Sequence, residues 1–537
     1  MLKNIFITIL LICSVSGVWG QKSVKVKVSG NVITTDGVPA EFINIQLKNT
    51  FYGGTSDGKG YFEFMAPAGQ YTMIVQSIAA HRREFPVTIE EGKENHFADI
   101  EIRENINQLE QVVVTGQFSP QSMRNSLYKV RTVNSEQIRQ KAPTSVQSLL
   151  NTEIGIRLSN DMALGETDFE LMGMSGNNVK ILLDGIPLID RGATKQSLSQ
   201  LDVNSIERVE IVEGPMSVVY GTDALAGVIN IITKKGDGYS EENTWRVGAR
   251  VQEESMGKEY DFFKDKGLHN ESIDLGFNHK SGLFVNGGYT RNNHGGWQGD
   301  LTGREKRWHP KDQALMNGMF GFQNRNMNVW YRLDFLDEKI FGPNNGSELQ
   351  PEKVSDKDFL TKRYTHQLQS DWKLDNRLDV HAALSYQDYK RRTRTTESDL
   401  STGEKWLSSA EASQDITQYK AWIARATVAW NIAPEFSVQP GVEYQWTQGE
   451  GGRIDGTPKV SDLAFFLSAE YKPWEWLSLR PGVRTFIVAD YDAPIAIPSV
   501  LTKFKLTKHM DLRLSYAYGF RSPTLQELYF SFHNDNH

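Results

Sequence analysis

The chain has 537 residues, which is more than one ordinary hydrophobic core accommodates, so its length predicts several domains. Its formal net charge is −7 and its cations form no basic stripe, which argues against a nucleic-acid partner. No run of about 18 apolar residues follows the N-terminal segment, so the sequence predicts no transmembrane helix and leaves a soluble protein or a β-barrel as the alternatives.

The N-terminal segment, residues 1–20, has the pattern of a secretory signal peptide. Lys3 precedes an apolar run over residues 5–15, and small residues follow up to Gly20, where we expect cleavage. The only cysteine of the chain, Cys13, lies inside this segment. The mature chain is therefore expected to contain neither a disulfide nor a thiolate metal site.

Residues 22–103 alternate apolar and polar side chains in short segments. Val24, Val26 and Val28 share one face of the first segment, and turn sequences such as "SDGKG" at 56–60 separate the later ones. Closely spaced, half-buried strands of this kind are typical of a small β-sandwich.

Residues 104–117 form a polar linker that contains the apolar stretch "VVVTG" at 112–116. Three consecutive β-branched residues predict an extended strand, and the linker offers it no evident partner. Such a strand is a template for β-augmentation by another protein. The alternative is an ordinary first strand of the following domain, and the residue pattern alone leaves both interpretations open.

Residues 118–236 are predicted to form a compact, mixed α/β domain. Ser135 is a predicted helix N-cap with Pro143 just after the helix, and Thr144 begins a second helix in the same way. Strands are predicted at 179–188, 206–214 and 227–235.

The stretch "VEGPMSVVYGTDALAGVINIITKK" at 212–235 is rich in small residues. Gly214, Gly221 and Gly227 lie six or seven positions apart, which is not the spacing of a dinucleotide-binding loop, and no Lys-Ser/Thr pair follows at the spacing of a Walker motif. The interpretation we favour is close packing of the backbone, which glycine permits because it has no side chain.

From residue 240 to 537, segments of about ten residues alternate apolar and polar side chains, and about 13 candidate strands can be counted. In residues 511–520 the leucines and aromatic residues share one face, and polar or small residues share the other. This pattern is typical of a barrel strand that faces lipid outward and water inward.

Short links alternate with long polar stretches along this region, as in outer-membrane barrels that have short periplasmic turns and long outer loops. The short links include 324–326 and 375–377, and the long stretches include 291–311 and 391–414. An aromatic girdle is predicted from tryptophans near strand ends, namely Trp330, Trp372, Trp430, Trp446 and Trp476.

The strings "IERVEIVEGPMSVVYGTDALAGVINIITKK" and "VKILLDGIPL" resemble the plug domain of TonB-dependent outer-membrane receptors. The resemblance extends over the mature chain: residues 22–103 are similar to a carboxypeptidase-regulatory-like domain, "VVVTG" to the TonB box, and "FRSPTLQELY" at 520–529 to a barrel motif of the family. One departure is Met172-Gly173, where the family usually has Arg-Gly, so a contact made by that arginine is not expected to carry over.

The resemblance implies a mainly β fold with an N-terminal β-sandwich, a mixed α/β plug at 118–236 and an antiparallel transmembrane β-barrel at 240–537, located in the bacterial outer membrane. The family's barrel has about 22 strands. Because fewer candidate strands were counted here and the sequence ends in a polar stretch, we expect the barrel to be C-terminally truncated.

The function that the resemblance implies is import of a scarce ligand with energy relayed by TonB of the inner membrane. The ligand would be a ferric siderophore, haem or cobalamin, and these alternatives stay open. A binding or signalling receptor without net transport is the alternative function, and no catalytic constellation points to an enzyme. The implied TonB contact comprises Val112, Val113, Val114, Thr115 and Gly116.

Candidate ligand contacts are His533 and His537, which follow the barrel motif, and Asp190 and Arg191 in the plug. Haem receptors of the family carry a ligating histidine in the part of the chain that corresponds to His533 and His537, and histidine nitrogen is a common haem ligand. Histidines in a polar segment are nevertheless more often solvated. We expect no resident metal or cofactor; the expected partners are TonB, outer-membrane lipid and a small iron- or cobalt-containing ligand.

Overall fold

The computed structural model divides into two compact units, Met1–Val112 and Val113–His537. The structure describes residues 25–34, 39–77, 80–102, 112–113, 121–122, 126–161, 166–189, 196–236, 242–324, 326–375, 377–410, 412–451, 453–507 and 510–531. None of the helices in these ranges is both long and apolar enough to cross a membrane.

The first unit is the predicted β-sandwich. Its two sheets have the strand orders β4-β1-β7 and β3-β2-β5-β6, and side chains from both fill one apolar core. In β4 the alternation is regular: Phe62, Phe64 and Ala66 are buried, whereas Glu63 and Met65 are exposed. The strands are β1 Lys25–Thr34, β2 Asn44–Leu47, β3 Gly53–Thr55, β4 Tyr61–Pro67, β5 Gly69–Ser77, β6 Ala80–Ile89 and β7 Asn95–Ile102.

The second unit begins with the mixed α/β domain, which we call the plug. Its main sheet has the strand order β10-β16-β17-β14-β15 and packs against two short helices around an apolar core. The short strand β8, Val112–Val113, lies at the boundary of the two units. The elements of the second unit that follow it are β9 Gln121–Ser122, β10 Lys129–Asn134, α1 Ser135–Lys141, α2 Val146–Leu150, β11 Ile156–Asp161, β12 Glu166–Leu171, β13 Met174–Ser175, β14 Val179–Leu183, β15 Ile186–Pro187, β16 Ile206–Glu213, α3 Ser217–Tyr220 and β17 Gly227–Thr233, with 3-10 turns at Gly176–Asn178, Gln196–Gln200 and Val203–Ser205.

The two helices exist, but both predicted N-caps were wrong by one residue. Asn134 caps α1, because its side chain accepts from the amide of Gln137 while the Gln137 side chain accepts from the Asn134 amide. Ser145 caps α2 through the same reciprocal arrangement with Ser148. In each case the residue that can form a complete capping box displaces its neighbour, Ser135 or Thr144, from the cap position.

The predicted strand at 179–188 is a hairpin, β14 and β15, and not one strand. Asp184 and Gly185 have φ values of 50° and 84°, which reverse the chain direction after Leu183. Close backbone packing is found at Gly227, where an added Cβ would lie 2.1 Å from the carbonyl oxygen of Val212 on the neighbouring strand. This observation confirms the role that we assigned to that glycine.

The rest of the second unit is a 14-stranded antiparallel sheet. Strands that are consecutive in sequence are paired from β18 to β24 and from β26 to β31, and β24 pairs with β26. The short strand β25 pairs with β24 and lies off this path. The strands are β18 Thr244–Glu254, β19 Leu268–Asn278, β20 Leu283–His294, β21 Lys311–Gln323, β22 Met327–Gly342, β23 Lys353–Lys373, β24 Leu378–Asp399, β25 Lys405–Leu407, β26 Ile416–Ala433, β27 Phe436–Glu450, β28 Lys459–Trp474, β29 Leu477–Val488, β30 Ile497–Thr507 and β31 Met510–Ala517, and helix α4 follows at Leu525–Leu528.

The lipid-facing and inward-facing sides of β31 are as predicted. Leu512, Leu514 and Tyr516 are exposed on the outer face. On the inner face the Arg513 side chain donates to the carbonyl of Ser126 in the plug. The alternation of side chains therefore separates a membrane surface from a plug-contacting surface.

Two expectations about this sheet were wrong in detail. The stretch 391–414 is not all loop, because β24 continues to Asp399 and stays paired with β23. Trp330 is only 1% exposed: it points inward, where the Lys235 ammonium lies 4.7 Å from its ring centroid. By contrast, Trp372, Trp430 and Trp476 are exposed close to the short links, as expected for a girdle.

The sheet holds the plug from several sides. Near its first strand Arg250 donates to the carbonyl of Pro143 at 3.0 Å, and near its last strand Arg513 donates to the plug as described. Between them Arg425 donates to the carbonyl of Val219 at 2.7 Å. These contacts place the plug inside the curve of the sheet.

Candidate functional site

An apolar cluster, which we call the outer cluster, lies at the end of the sheet that carries the long connections. It brings together side chains from β24, β26, β28, α4 and the plug. Its buried members are Tyr389, Tyr419, Ile454, Val460 and Leu525, and packed against them are Ile189, Tyr491, Leu528 and Tyr529.

The segment "FRSPTLQELY" enters this cluster as one turn of helix. Thr524 caps α4 by accepting from the amide of Glu527, and the Glu527 side chain accepts from the Thr524 amide. Arg521 also donates to Glu527, at 2.9 and 3.0 Å. Beyond the helix, the carbonyl of Tyr529 accepts from the amide of Asp455 at 2.9 Å, which fastens the segment to the loop after β27.

Three glutamines of β23 and β24 hold the hairpin that β14 and β15 form in the plug. Gln367, Gln369 and Gln387 donate to carbonyl oxygens of plug residues 183–187 at 3.3, 2.9 and 2.7 Å. The Gln387 side chain also accepts from the amide of Ile189 at 2.9 Å. All three side chains are buried, so their uncharged amides replace the water that this backbone would otherwise bind.

A buried polar network holds the plug turn that ends at Gln200. The Gln200 amide donates to Glu338 at 2.9 Å, and Gln313 donates to Glu338 and to the carbonyl of Ser199. Arg363 donates to the carbonyl of Gln200 at 2.8 Å. The barrel wall thus anchors the plug on both sides of residues 190–195.

Tyr491 offers a phenol beside the outer cluster. Burial and the carboxylate of Asp462 nearby raise the pKa of Tyr491 above its usual range. The phenol therefore stays protonated at physiological pH and can act as a hydrogen-bond donor.

A buried charge cluster lies against α3. Glu443 pairs with Arg484 at 2.6 Å and with Arg425 at 3.3 Å, and all three side chains are almost fully buried. Arg425 also binds the Val219 carbonyl, and Arg484 lies 3.0 Å from the position of a Cβ added to Gly221. Part of the glycine-rich plug stretch is therefore held by charged groups of the barrel.

The structure describes few of the predicted site residues. Val112 and Val113 form the short strand β8, which pairs with β9 at Gln121–Ser122, so this strand has a partner that the sequence did not reveal. The remaining candidates lie outside the described residues; they are Val114, Thr115, Gly116, Asp190, Arg191, His533 and His537.

The outer cluster nevertheless contains residues that are close in sequence to both pairs of candidate ligand contacts, Asp190 with Arg191 and His533 with His537. Ile189 directly precedes Asp190, and Tyr529 precedes His533 by four positions. Met172, which stands where the resemblance implies an arginine, is exposed in a turn with a φ of 53°. Among the described side chains, no group of three or more His, Cys, Asp or Glu residues is arranged to hold a metal ion.

The sequence analysis missed the three glutamines and Glu338. Gln367 and Gln369 occupy alternate positions of β23, so strand periodicity could have indicated that they share one face of the strand. That signal identifies a polar lining, but it does not identify the plug carbonyls that the amides meet.

Comparison with known protein families gives three matches. Residues 28–114 match the CarboxypepD_reg-like domain, and residues 122–228 match the TonB-dependent Receptor Plug Domain. Residues 218–537 match the TonB dependent receptor-like, beta-barrel family. The last match covers more than half of the chain.

Individual proteins are similar to parts of the chain. The vitamin B12 transporter of Vibrio vulnificus (strain CMCP6) is 32% identical over 139 residues, which are 26% of this chain and 23% of the transporter. A ferric enterobactin receptor variant from Pseudomonas aeruginosa has a TM-score of 0.56 at 16% identity over 74% of this chain and 62% of its own. A siderophore receptor from Acinetobacter baumannii has a TM-score of 0.56 at 16% identity over 75% of this chain and 62% of its own. The chain thus spans less than two thirds of the length of these proteins.

Proposed function

The chain belongs to the TonB-dependent receptor family of bacterial outer-membrane proteins, and from this membership we propose that it imports a scarce ligand with energy relayed by TonB. The family consists of receptors and transporters and not of enzymes. The proposed ligand is a ferric siderophore, haem or cobalamin.

The observation that carries the proposal is the outer cluster. Ile189 of the plug and Tyr529 of the barrel motif both pack against its buried side chains, so the residues that follow each of them start from the same cluster. A ligand that contacts Asp190 or Arg191 on one side and His533 or His537 on the other would touch plug and barrel at once. Occupancy at the outer face would then act directly on the element that blocks the passage.

The proposed energy coupling uses the strand at 112–116. Among the described residues β8 pairs with β9, and we propose that its second edge receives a strand from another protein. Addition of a TonB strand to this edge would rely on main-chain hydrogen bonds. A pull on this strand would reach the plug through the residues that follow it.

The ligand class can be decided by a direct comparison. Cells that produce the receptor are given a labelled ferric siderophore, haem or cobalamin, and binding and periplasmic accumulation are measured with and without functional TonB. Accumulation of one ligand only when TonB is active supports import. Binding without TonB-dependent accumulation would contradict import and favour a signalling receptor.

Haem has a separate spectroscopic test. If His533 or His537 is an axial ligand, replacing both by alanine should weaken haem binding about tenfold or more, since histidine nitrogen bonds directly to haem iron. Titration of the purified receptor with haem, followed by its Soret band, measures this affinity. An unchanged Soret titration in the double variant would argue against these ligands.

A further inference from the structure

The outer surface of β23, β24 and β26 carries a group of closely spaced cations, which we call the basic patch: Lys362, Lys390, Arg392 and Lys420. These residues occupy the outward positions of their strands. Lys362 lies directly opposite Lys390 in the β23–β24 pair. Like charges in directly opposed positions destabilise a sheet unless another group compensates them.

The strand segments that carry the patch and flank it on β22 hold fewer carboxylates than cations. The outward positions from Asp337 to Lys339, Asp358 to Lys362, Asp388 to Arg394 and Gln418 to Lys420 hold six cations and three carboxylates. Three of the cations are paired: Lys339 and Arg394 share Asp358, and Lys362 lies 3.6 Å from Asp337. Within the described residues, Lys390, Arg392 and Lys420 make no ion pair. This local excess of positive charge contrasts with the chain's net charge of −7.

The depth of the patch follows from strand geometry. Leu378 lies opposite Trp430 in the girdle beside the short links, and Lys390 is in the same strand twelve residues further on. At about 3.3 Å per residue and a tilt of about 40°, this separation is roughly 30 Å along the membrane normal. The apolar band of an outer-membrane barrel is about 25 Å tall, so Lys390 lies just beyond its far edge.

Aromatic side chains mark the same boundary. The rings of Tyr386 and Trp422 are in contact at a tilt of 39°, with centroids 4.8 Å apart, and Trp446 lies opposite Trp422 on the next strand. Trp422 is outward-facing and exposed, as expected for the second girdle. The basic patch begins directly above these rings, on the side of the long connections, which in such barrels faces the cell exterior.

We propose that the basic patch binds the phosphate groups of an anionic lipid in the outer leaflet of the outer membrane. Lysine and arginine side chains donate charge-assisted hydrogen bonds to phosphate oxygens, and an anion between Lys362 and Lys390 relieves their repulsion. The girdle below the patch favours a lipid over a soluble anion, because acyl chains can lie against the aromatic surface while the head group reaches the cations. This inference does not depend on which ligand is transported.

The test uses the purified receptor in a neutral detergent. It is titrated with a bisphosphorylated glycolipid, with the dephosphorylated form of the same lipid and with inorganic phosphate, and bound lipid is counted by native mass spectrometry. The test variant combines Lys390→Gln, Arg392→Gln and Lys420→Gln. The control combines Lys280→Gln, Lys373→Gln and Lys505→Gln, which removes the same charge from exposed positions at the short-link edge.

We expect the test variant to bind the phosphorylated lipid at least tenfold more weakly than the parent, whereas the control should bind as the parent does. The difference should shrink as salt is added, because exposed charges are screened. Equal binding of the dephosphorylated lipid, or an unchanged affinity in the test variant, would overturn the proposal. Inorganic phosphate that binds as tightly as the lipid would overturn the assignment to a lipid.

Discussion

At the scale of single residues, Glu443 is the only carboxylate paired with the two buried arginines beside α3 in the part of the chain that the structure describes. Replacing it by glutamine keeps its shape but removes the ion-pair partner that Arg425 and Arg484 share. Because removal of one partner of a buried ion pair costs about 3–5 kcal/mol, we expect Glu443→Gln to lower the free energy of unfolding by about 3 kcal/mol.

Urea unfolding of the purified receptor measures this effect. The matched control is Asp312→Asn, which breaks the exposed pair with Arg291 and should change stability little. If the two variants unfold alike, the buried charge cluster does not stabilise the plug.

Gly227 is a second residue whose position in the fold leaves no space for a side chain. It has a φ of 150°, and an added Cβ would also meet the side chain of Leu171 at 2.9 Å besides the Val212 carbonyl. A backbone oxygen in a paired strand cannot move aside, so we expect Gly227→Ala to destabilise the plug by about 3 kcal/mol or more.

The comparison is Gly214→Ala, at a φ of 99°, where the atom nearest to the added Cβ is the Ser515 hydroxyl oxygen at 3.9 Å. This change should cost only the backbone strain of about 1–2 kcal/mol. Trypsin digestion of the folded receptor reports the difference as plug cleavage. Equal resistance in both variants would show that the plug tolerates the Cβ at Gly227.

At the scale of elements, strand β8 is where a proline and an alanine should have different effects. The affinity of an added strand comes mainly from main-chain hydrogen bonds, so Val113→Ala should leave transport near the parental rate. Val113→Pro removes a donor and disrupts the extended ladder, so it should abolish accumulation of the ligand.

Ligand binding to whole cells should remain near parental in both variants, because the outer cluster lies elsewhere in the chain. Binding and accumulation of one labelled ligand, measured on the same cells, separate the two effects. Uptake that survives the proline would reduce residues 112–116 to an ordinary strand and move the search for the TonB contact to residues 104–111.

Strand periodicity predicted most of the fold, because it encodes which face of each strand is apolar. It failed at Trp330: an aromatic side chain near a strand end suggested a girdle, but the register places it beside the inward-facing Gln369. It also failed at the end of β24, where charged residues read as loop although they continue the ladder with β23. Pairing across strands decides both cases, and a single sequence does not contain that information.

The sequence predicted less of the candidate site than of the fold. The barrel motif at 520–529 led to α4, but the packing of Ile189 against it depends on residues more than 300 positions apart. The glutamines on β23 and β24 likewise acquire a role only when the plug turn lies against them. Contacts between distant segments are a property of the tertiary fold, so local pattern could not identify them.

At the scale of the whole molecule, the barrel holds the plug by two kinds of chemistry. The β14–β15 hairpin is held by neutral glutamine amides, whose hydrogen bonds each contribute about 1 kcal/mol because water can replace them. The region of α3 is held by buried charges that are costly to separate. If the plug moves during transport, this difference implies that the β14–β15 hairpin is released more readily than α3.

The first unit provides a test at the same scale, because it has an apolar core of its own. We expect residues 22–103, produced alone, to unfold cooperatively with a free energy of about 4–12 kcal/mol, from the typical stability per residue of small domains. Circular dichroism during urea titration measures the transition.

Phe62 is 1% exposed in the core, so Phe62→Ala should lower the free energy of unfolding by about 3–5 kcal/mol, whereas Phe51 is fully exposed and Phe51→Ala should leave the midpoint unchanged. A gradual transition, or equal effects of the two substitutions, would mean that the sandwich core does not fold as an independent unit.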